Sequence, residues 1–363
     1  MNPQYPNPFA QPQLPPPPPA PRRSGGLGCF LAMVILGIFV ASLYLLNRSD
    51  DWDSDFVPVL SESVGVVRIE EPIDDSKAIL KVIKSFRKDK NIKAIVVRLD
   101  TPGGRVGASE EIYRELKRVR ELDKKPVVAS MGNAAASGGY YIAAGAEEIY
   151  ANAGTITGSI GVIAPGFNVE DTLKKLGIES VTIKSGEHKD TGSPFREARP
   201  EDKRLLQGVI FDMYRQFFTT VLRARHKQID EVLAKRQDQF DEVADTSGTK
   251  NLADAIEWNA FTTGTVASVV GASQESETAL RRIADGRILT GDQAMKVGLV
   301  DHIGNLHDAT ERAAILAGLG KDAPVVDKVP GKDLPLWFGA SAGRFWREAV
   351  RARTSVEMRE EGL

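Results

Sequence analysis

Residues 92–104 read Ile-Lys-Ala-Ile-Val-Val-Arg-Leu-Asp-Thr-Pro-Gly-Gly, and residues 126–145 read Pro-Val-Val-Ala-Ser-Met-Gly-Asn-Ala-Ala-Ala-Ser-Gly-Gly-Tyr-Tyr-Ile-Ala-Ala-Gly. Each opens with a short apolar run and passes into small or turn-forming residues, the pattern of a buried strand ending in a loop. Between them, residues 108–122 carry Ile112, Leu116 and Val119 at helical spacing. Working outward, residues 64–69 read as a strand. Residues 76–87 read as a helix whose apolar face is Ile79, Leu80, Val82, Ile83 and Phe86, residues 136–144 as a helix, and residues 148–151 as a strand. This β-α-β-α-β order predicts an α/β fold with a mostly parallel sheet. Right-handed crossovers place the strand C-termini on one edge. The Gly-rich loops at 100–107 and 131–139 then meet at the edge where open α/β sheets bind ligands.

Further along, residues 162–163 and 181–184 read as short strands around a helix at 170–176, and residues 201–224 as a long amphipathic helix. Residues 226–277 show helical charge patterning followed by an Ala/Thr/Val/Ser-rich stretch. Residues 284–287, 291–294 and 298–304 predict a turn, a short helix and a return loop.

Residues 27–46 contain no charged side chain. Twenty residues at helical rise span about 30 Å, the thickness of a bilayer's hydrocarbon core. Arg22 and Arg23 precede the run and Asp50, Asp51 and Asp53 follow it, which predicts a cytoplasmic N-terminus and an extracytoplasmic remainder. A cleaved signal peptide is the rival reading. Its apolar region is shorter and ends in a small-x-small site, whereas this run ends Tyr-Leu-Leu-Asn-Arg, so an uncleaved anchor is favoured. The expected organisation is a Pro-rich cytoplasmic tail at 1–24, an anchor at 25–47 and an acidic linker at 48–61. A catalytic domain at 62–329 and a C-terminal tail at 330–363 follow. That tail reads either as an amphipathic membrane-surface or subunit-contact helix or as a frayed end. Net charge is −2, so no nucleic-acid partner is expected. The single cysteine, Cys29, excludes an intramolecular disulfide.

Ser137 stands at the predicted strand-to-helix turn among Ala and Gly. There its hydroxyl and the following N–H groups point the same way, toward the positive end of a helix. That suits a nucleophile with an oxyanion hole; a small-residue packing seam fits the segment equally well. A serine nucleophile needs a base. The four histidines, His188, His226, His302 and His307, lie outside any comparable loop, and none stands in a metal-binding frame. No metal or other cofactor is expected. Lys189, after the expected strand at 181–184, is the other candidate. A lysine acts near neutral pH only if its value falls from about 10.4 to roughly 7–8, which burial can supply. A carboxylate from Asp190 would oppose that fall; taken alone Lys189 reads as a surface loop lysine rather than a base, and spacing does not bring it to Ser137.

The chain resembles the signal peptide peptidase A family, membrane-anchored bacterial serine–lysine proteases with the Clp protease/crotonase fold. The resemblance covers residues 61–325 apart from 226–277. It rests on Asp100-Thr-Pro-Gly-Gly104, Ser130-Met-Gly132, Ala136-Ser-Gly-Gly-Tyr-Tyr141, Thr157-Gly-Ser-Ile-Gly161, Lys184-Ser-Gly-Glu-His-Lys-Asp190, Ala284-Asp-Gly-Arg287 and Gly298-Leu-Val-Asp301, in order. The resemblance implies a β-β-α superhelix preceded by one transmembrane helix. It implies Ser137 as nucleophile, Lys189 as general base, Ser159 as the residue that orients Lys189, and the N–H groups of Gly104 and Gly138 as the oxyanion hole. It also implies remnant signal peptides and other unfolded hydrophobic segments as substrates. The expected assembly is a homo-oligomer, an octamer in single-length members, whose neighbouring subunits complete each dyad. Residues 226–277 are longer than the family's connection at that point. Two other classes stand beside this one. In an acyl-CoA enzyme of crotonase type Ser137 and Lys189 would be incidental, and the anchor argues against it; retention of both residues argues against a non-catalytic scaffold.

Overall fold

The β-branched runs pair as parallel strands in a computed structural model that describes residues 61–245 and 266–330. Strand β1 (Ser63–Glu70) lies beside β2 (Ile92–Thr101), with Val66 opposite Val96, and β2 lies beside β3 (Val127–Ala136), with Val97 opposite Ala129. The connections are the expected helices, α1 (Lys77–Lys88) and α2 (Val106–Glu121). The β3 strand runs five residues beyond the expected end at 131. A register shift between Leu99 and Thr101 lets the small residues of 132–136 continue the ladder where a loop was expected.

The extra length of β3 divides the sheet. Its first half pairs with β4 (Glu148–Ala151), Val128 opposite Glu148, and its second half with β5 (Ile156–Gly158), Ala136 opposite Gly158. Between β3 and β4 lies the short helix α3 (Gly138–Ala143). After β5 come α4 (Glu170–Lys175) and α5 (Pro200–Asp245). Next are α6 (Val266–Val270) and α7 (Gln274–Ile283), β6 (Ile288–Thr290) and α8 (Gly291–Lys296). The described part ends with β7 (His302–Ile303), α9 (Leu306–Leu316) and β8 (Val325–Lys328). The eight-stranded sheet runs β6-β5-β3-β2-β1-β8, with β4 and β7 attached beside β3. Among the described residues only β6 pairs antiparallel.

One face of the sheet, through Val67, Ile69, Ile95, Val97, Leu99 and Met131, is packed by α1, α2, α3, α5 and α7. On the other face Val64, Val66, Ala94, Val96, Val128 and Tyr150 meet Ala309, Ala313 and Ala314 of α9. Alanine at the contact lets that helix lie close to the sheet.

Two expectations for the later chain change. Residues 162–163 and 181–184 form no strands. Val162 packs against the main core without pairing, whereas Ile163 (85% exposed), Val181 (79%) and Ile183 (96%) find no cover among the described residues. Strand-forming residues without a partner strand cannot build a ladder. The helix expected to end at 224 continues as α5 to Asp245, with non-helical angles at Arg236. It buries Ile229, Val232, Phe240 and Val243 in the main core, so the first part of the atypical segment is built into the fold. The expected anchor at 27–46, the tail at 1–24, the C-terminal tail from 331 and residues 246–265 lie outside the described residues. Among the described residues no helix is long and apolar enough to cross a membrane.

Candidate active site

Ser137 caps α3 at the end of β3 with φ 52° and ψ −117°. A non-glycine residue in such a region costs on the order of 1–3 kcal/mol and is held only when its surroundings over-determine it. Here they do: its N–H donates to the Gly158 carbonyl (2.9 Å) and its carbonyl accepts from the Tyr141 N–H (2.9 Å). The turn throws the side chain off the strand while leaving Ser137 half-buried and reachable.

The loop after β2 packs against this turn. Gly103 has φ 105°, and a methyl group there would sit 2.8 Å from the Ser137 Cβ and 2.7 Å from the Gly138 nitrogen. Only glycine fits that position. The loop is fixed from below by Thr101, whose hydroxyl accepts the Gly103 N–H at 3.1 Å. It is fixed from the side by a parallel bridge between Ile73 and Gly104. In that bridge Ile73 donates to the Gly103 carbonyl and accepts from the Arg105 N–H, so the Gly104 N–H is left outside it. Gly138 begins a helix, where an N–H has no intrahelical acceptor. A methyl on Gly138 would meet the Ser109 hydroxyl and come within 3.2 Å of the Gly104 nitrogen. Two unclaimed backbone donors therefore stand side by side next to Ser137.

Ser159 follows β5 as Ser137 follows β3, one step past the Ala136–Gly158 pair, and it too has a positive φ, 50°. Its N–H donates to the Arg287 carbonyl at 2.7 Å. Arg287 is tied back to Asp285 (Nη2 to Oδ2, 2.7 Å) and to the Ala244 carbonyl (2.8 Å). The motif at 284–287 thus supports the Ser159 turn, a role its sequence did not reveal. Ser109 was missed as well; the only signal was its place among small residues at the start of α2. The motif at 298–301 is structural: Asp301 accepts two hydrogen bonds from Arg225 (2.8 and 2.9 Å) and one from the Ile149 N–H (2.8 Å).

Lys189 is placed differently. It lies in an exposed loop, its N–H donating to the Gly186 carbonyl (3.2 Å), and no hydrogen bond joins it to Ser137 within the chain. The Asp190 carboxylate points elsewhere, to Arg196 (Nε, 2.9 Å) and Lys184 (Nζ, 2.8 Å). Those two cations hold it well below the usual carboxylate range, Arg196 first. The histidines occupy other ground: His302 stacks on Tyr150 at 4.6 Å, His226 faces the Leu222 carbonyl at 3.2 Å, and His188 and His307 are exposed.

Comparison with known proteins gives the family. The model of peptidase family S49 matches residues 120–259 and 257–320, and that of Clp protease matches residues 50–157. A candidate protease of Synechocystis sp. is 40% identical over 253 residues, 70% of this chain and 73% of the relative. A candidate signal peptide peptidase of Enterococcus faecium is 33% identical over 232 residues, 64% of this chain and 53% of the relative. Protease 4 of Salmonella typhi is 32% identical over 237 residues, 65% of this chain. The chain spans about half the length of the Enterococcus relative and 30% of the Salmonella one. With a family match over more than half its length and a strained serine beside paired backbone donors, the chain belongs to peptidase family S49 and is a serine endopeptidase of that family.

Proposed function

We propose that Ser137 is the nucleophile and that Lys189, supplied by a neighbouring copy of the chain, is its general base. The observation that carries this reading is the strained Ser137 turn facing the free N–H groups of Gly104 and Gly138. In the first half-reaction the Ser137 hydroxyl oxygen attacks the scissile carbonyl carbon while the neutral Lys189 amine takes its proton. The carbonyl oxygen becomes an oxyanion between the two N–H groups, which stabilise it by about 3–4 kcal/mol. Collapse expels the amine, which receives the proton from the Lys189 ammonium. Water then attacks the acyl-enzyme, losing its proton to Lys189, and the Ser137 oxygen recovers a proton as the acid leaves. Ser159, one register step from Ser137, receives and aims the lysine.

Assembly is favoured because the loop bearing Lys189 is exposed and presents Val181 and Ile183 to solvent, as the segment before α4 presents Ile163 and Phe167. Patches of that kind mark interaction surfaces. The oligomer is a ring or dome of the octameric type, on a β-β-α superhelical subunit. The chain is held by residues 27–46 in the bacterial cytoplasmic membrane, N-terminus inside, and cleaves remnant signal peptides and other unfolded hydrophobic segments outside. The signal-peptide-peptidase relative supports that substrate class. Ser137→Ala and Lys189→Ala are each expected to abolish peptide cleavage while leaving the oligomer intact. Mixing and reassembling the two inactive variants restores activity, because some interfaces then pair an intact serine with an intact lysine. Near-full activity in Lys189→Ala, or no recovery on mixing, would refute the shared dyad.

A further inference from the structure

Resting on the assignment of Lys189 as base, the geometry points to a charge clamp. Arg196 and Lys184 occupy the Asp190 carboxylate and so keep it from pairing with the adjacent Lys189, which makes both of them positioning residues for the base. A lysine next to an aspartate in sequence has a ready ion-pair partner, and such a pair favours the ammonium form, which cannot accept a proton. Here that partner is taken. Arg196 donates to both Asp190 oxygens, Nε to Oδ2 at 2.9 Å and Nη2 to Oδ1 at 3.0 Å. Its Nη2 also donates to the Asp190 carbonyl at 3.1 Å. Lys184 donates to Oδ1 at 2.8 Å and to the Glu187 carbonyl at 2.9 Å. A bidentate guanidinium fixes the plane of a carboxylate as well as its charge.

The clamp is anchored to the helix behind it. Arg196 Nη1 also binds Asp202 at 2.6 Å, in the first turn of α5. Asp202 in turn binds Arg199 (Nη2, 3.0 Å) and the Thr191 hydroxyl (2.9 Å). Its side chain is wholly enclosed. Lys189 is thus bracketed by residues tied to one network, Glu187 before it and Asp190 and Thr191 after it.

The other charged groups of the surrounding segments are committed or turned to water. Glu187 pairs with Arg199 at 3.5 Å. On α4, Glu170 pairs with Lys174 at 2.8 Å and accepts the Glu197 N–H at 2.7 Å. His188, Glu197 and Glu201 are exposed. With Asp190 neutralised by Arg196 and Lys184, the loop presents Lys189 without a competing carboxylate.

The test is the pH dependence of kcat/KM for a fluorogenic peptide, measured on the full-length, membrane-extracted protein. Arg196→Gln frees the Asp190 carboxylate and should move the acidic limb to higher pH by about one unit, about a tenfold loss on that limb. Lys184→Gln should move it the same way by less. Asp190→Asn leaves the two cations uncompensated and should move the limb to lower pH. Arg196→Lys, which keeps the charge, should recover most of the wild-type profile. A merely structural role would lower activity at every pH without shifts of opposite sign. Limb shifts of the same sign in Arg196→Gln and Asp190→Asn, or an unmoved limb in both Arg196→Gln and Lys184→Gln, would overturn the clamp. If Arg196→Gln fails to fold, the exposed-side Lys184→Gln still decides it. Lys189→Ala, run in parallel, separates the two claims: activity there removes the base assignment itself, whereas inactivity there with an unmoved limb in the others removes only the clamp.

Discussion

Ser137 and Lys189 stand in surroundings of opposite kinds. The serine lies at the end of a strand with neighbours on both sides. Its turn is held by backbone bonds to Gly158 and Tyr141, and the helix behind it is buried along its whole length. The lysine lies in a loop with no sheet partner, ordered by ion pairs and flanked by apolar side chains that face water. A nucleophile must keep a costly conformation, which a packed core can impose. A base of the kind proposed for Lys189, shared between copies, must stay accessible until assembly, which a charged, locally pinned loop allows. The contrast predicts that damage on the serine side is felt as lost stability or lost chemistry, whereas damage on the lysine side is felt as altered proton balance.

The largest effect expected is from Arg225→Ala. Arg225 is 2% exposed, and besides its two bonds to Asp301 it donates to the Gly298 carbonyl at 2.9 Å. Removing it leaves the Asp301 carboxylate without its cation beneath β4, a loss of about 3–5 kcal/mol. Chemical denaturation should show a matching drop in the unfolding midpoint. A loss below about 1 kcal/mol would mean that the serine side is less tightly built than its burial indicates.

Gly138→Ala comes next and acts on chemistry. The added methyl meets the Ser109 hydroxyl and approaches the Gly104 nitrogen, displacing one donor from the other. Loss of an oxyanion donor lowers kcat about 10²–10³-fold. Steady-state kinetics should show that loss mainly in kcat, with KM little changed. Ser109→Gly in the same chain makes room for the methyl and should return part of the activity.

The same contrast explains what could be read from sequence. Strands β1 to β4 are legible because each is a short apolar run whose partner is another such run nearby in the chain. The helices of the first half are legible because their apolar positions repeat at helical spacing. The strand at 156–158 is not, since three residues carry no period, and the small residues of 132–136 look like a loop because pairing rather than side-chain character makes them strand. Val181 and Ile183 have strand chemistry without a partner among the described residues. At the site, Ser137 and its glycines stood out as a local pattern. The adjacency of Ser159 to Ser137 depends on the register of β3 with β5, a long-range fact. The occupation of Asp190 by Arg196 depends on a loop closing on itself, which sequence order does not state.

The smallest effect tests how finely the serine side is fitted. Tyr140, two residues after Gly138, is fully enclosed and donates its hydroxyl to the Leu299 carbonyl at 2.7 Å. Burial raises its phenol well above the ordinary value, so it is a donor at neutral pH. Tyr140→Phe keeps the ring and removes only this bond. The Leu299 carbonyl is then left buried and unpaired, a cost of about 1–3 kcal/mol. Thermal unfolding should fall by a few degrees, while kcat/KM at a temperature well below the transition stays within about twofold, because the hydroxyl is bound to the segment after α8 and not to the Ser137 turn. An unchanged transition would mean that water reaches the Leu299 carbonyl and that this flank is looser than the enclosed ring implies. A large loss of kcat with an unchanged transition would mean that the hydroxyl sets the pitch of α3, and with it the Gly138 N–H, so that on this side of the molecule stability and chemistry cannot be separated even at the level of a single hydrogen bond.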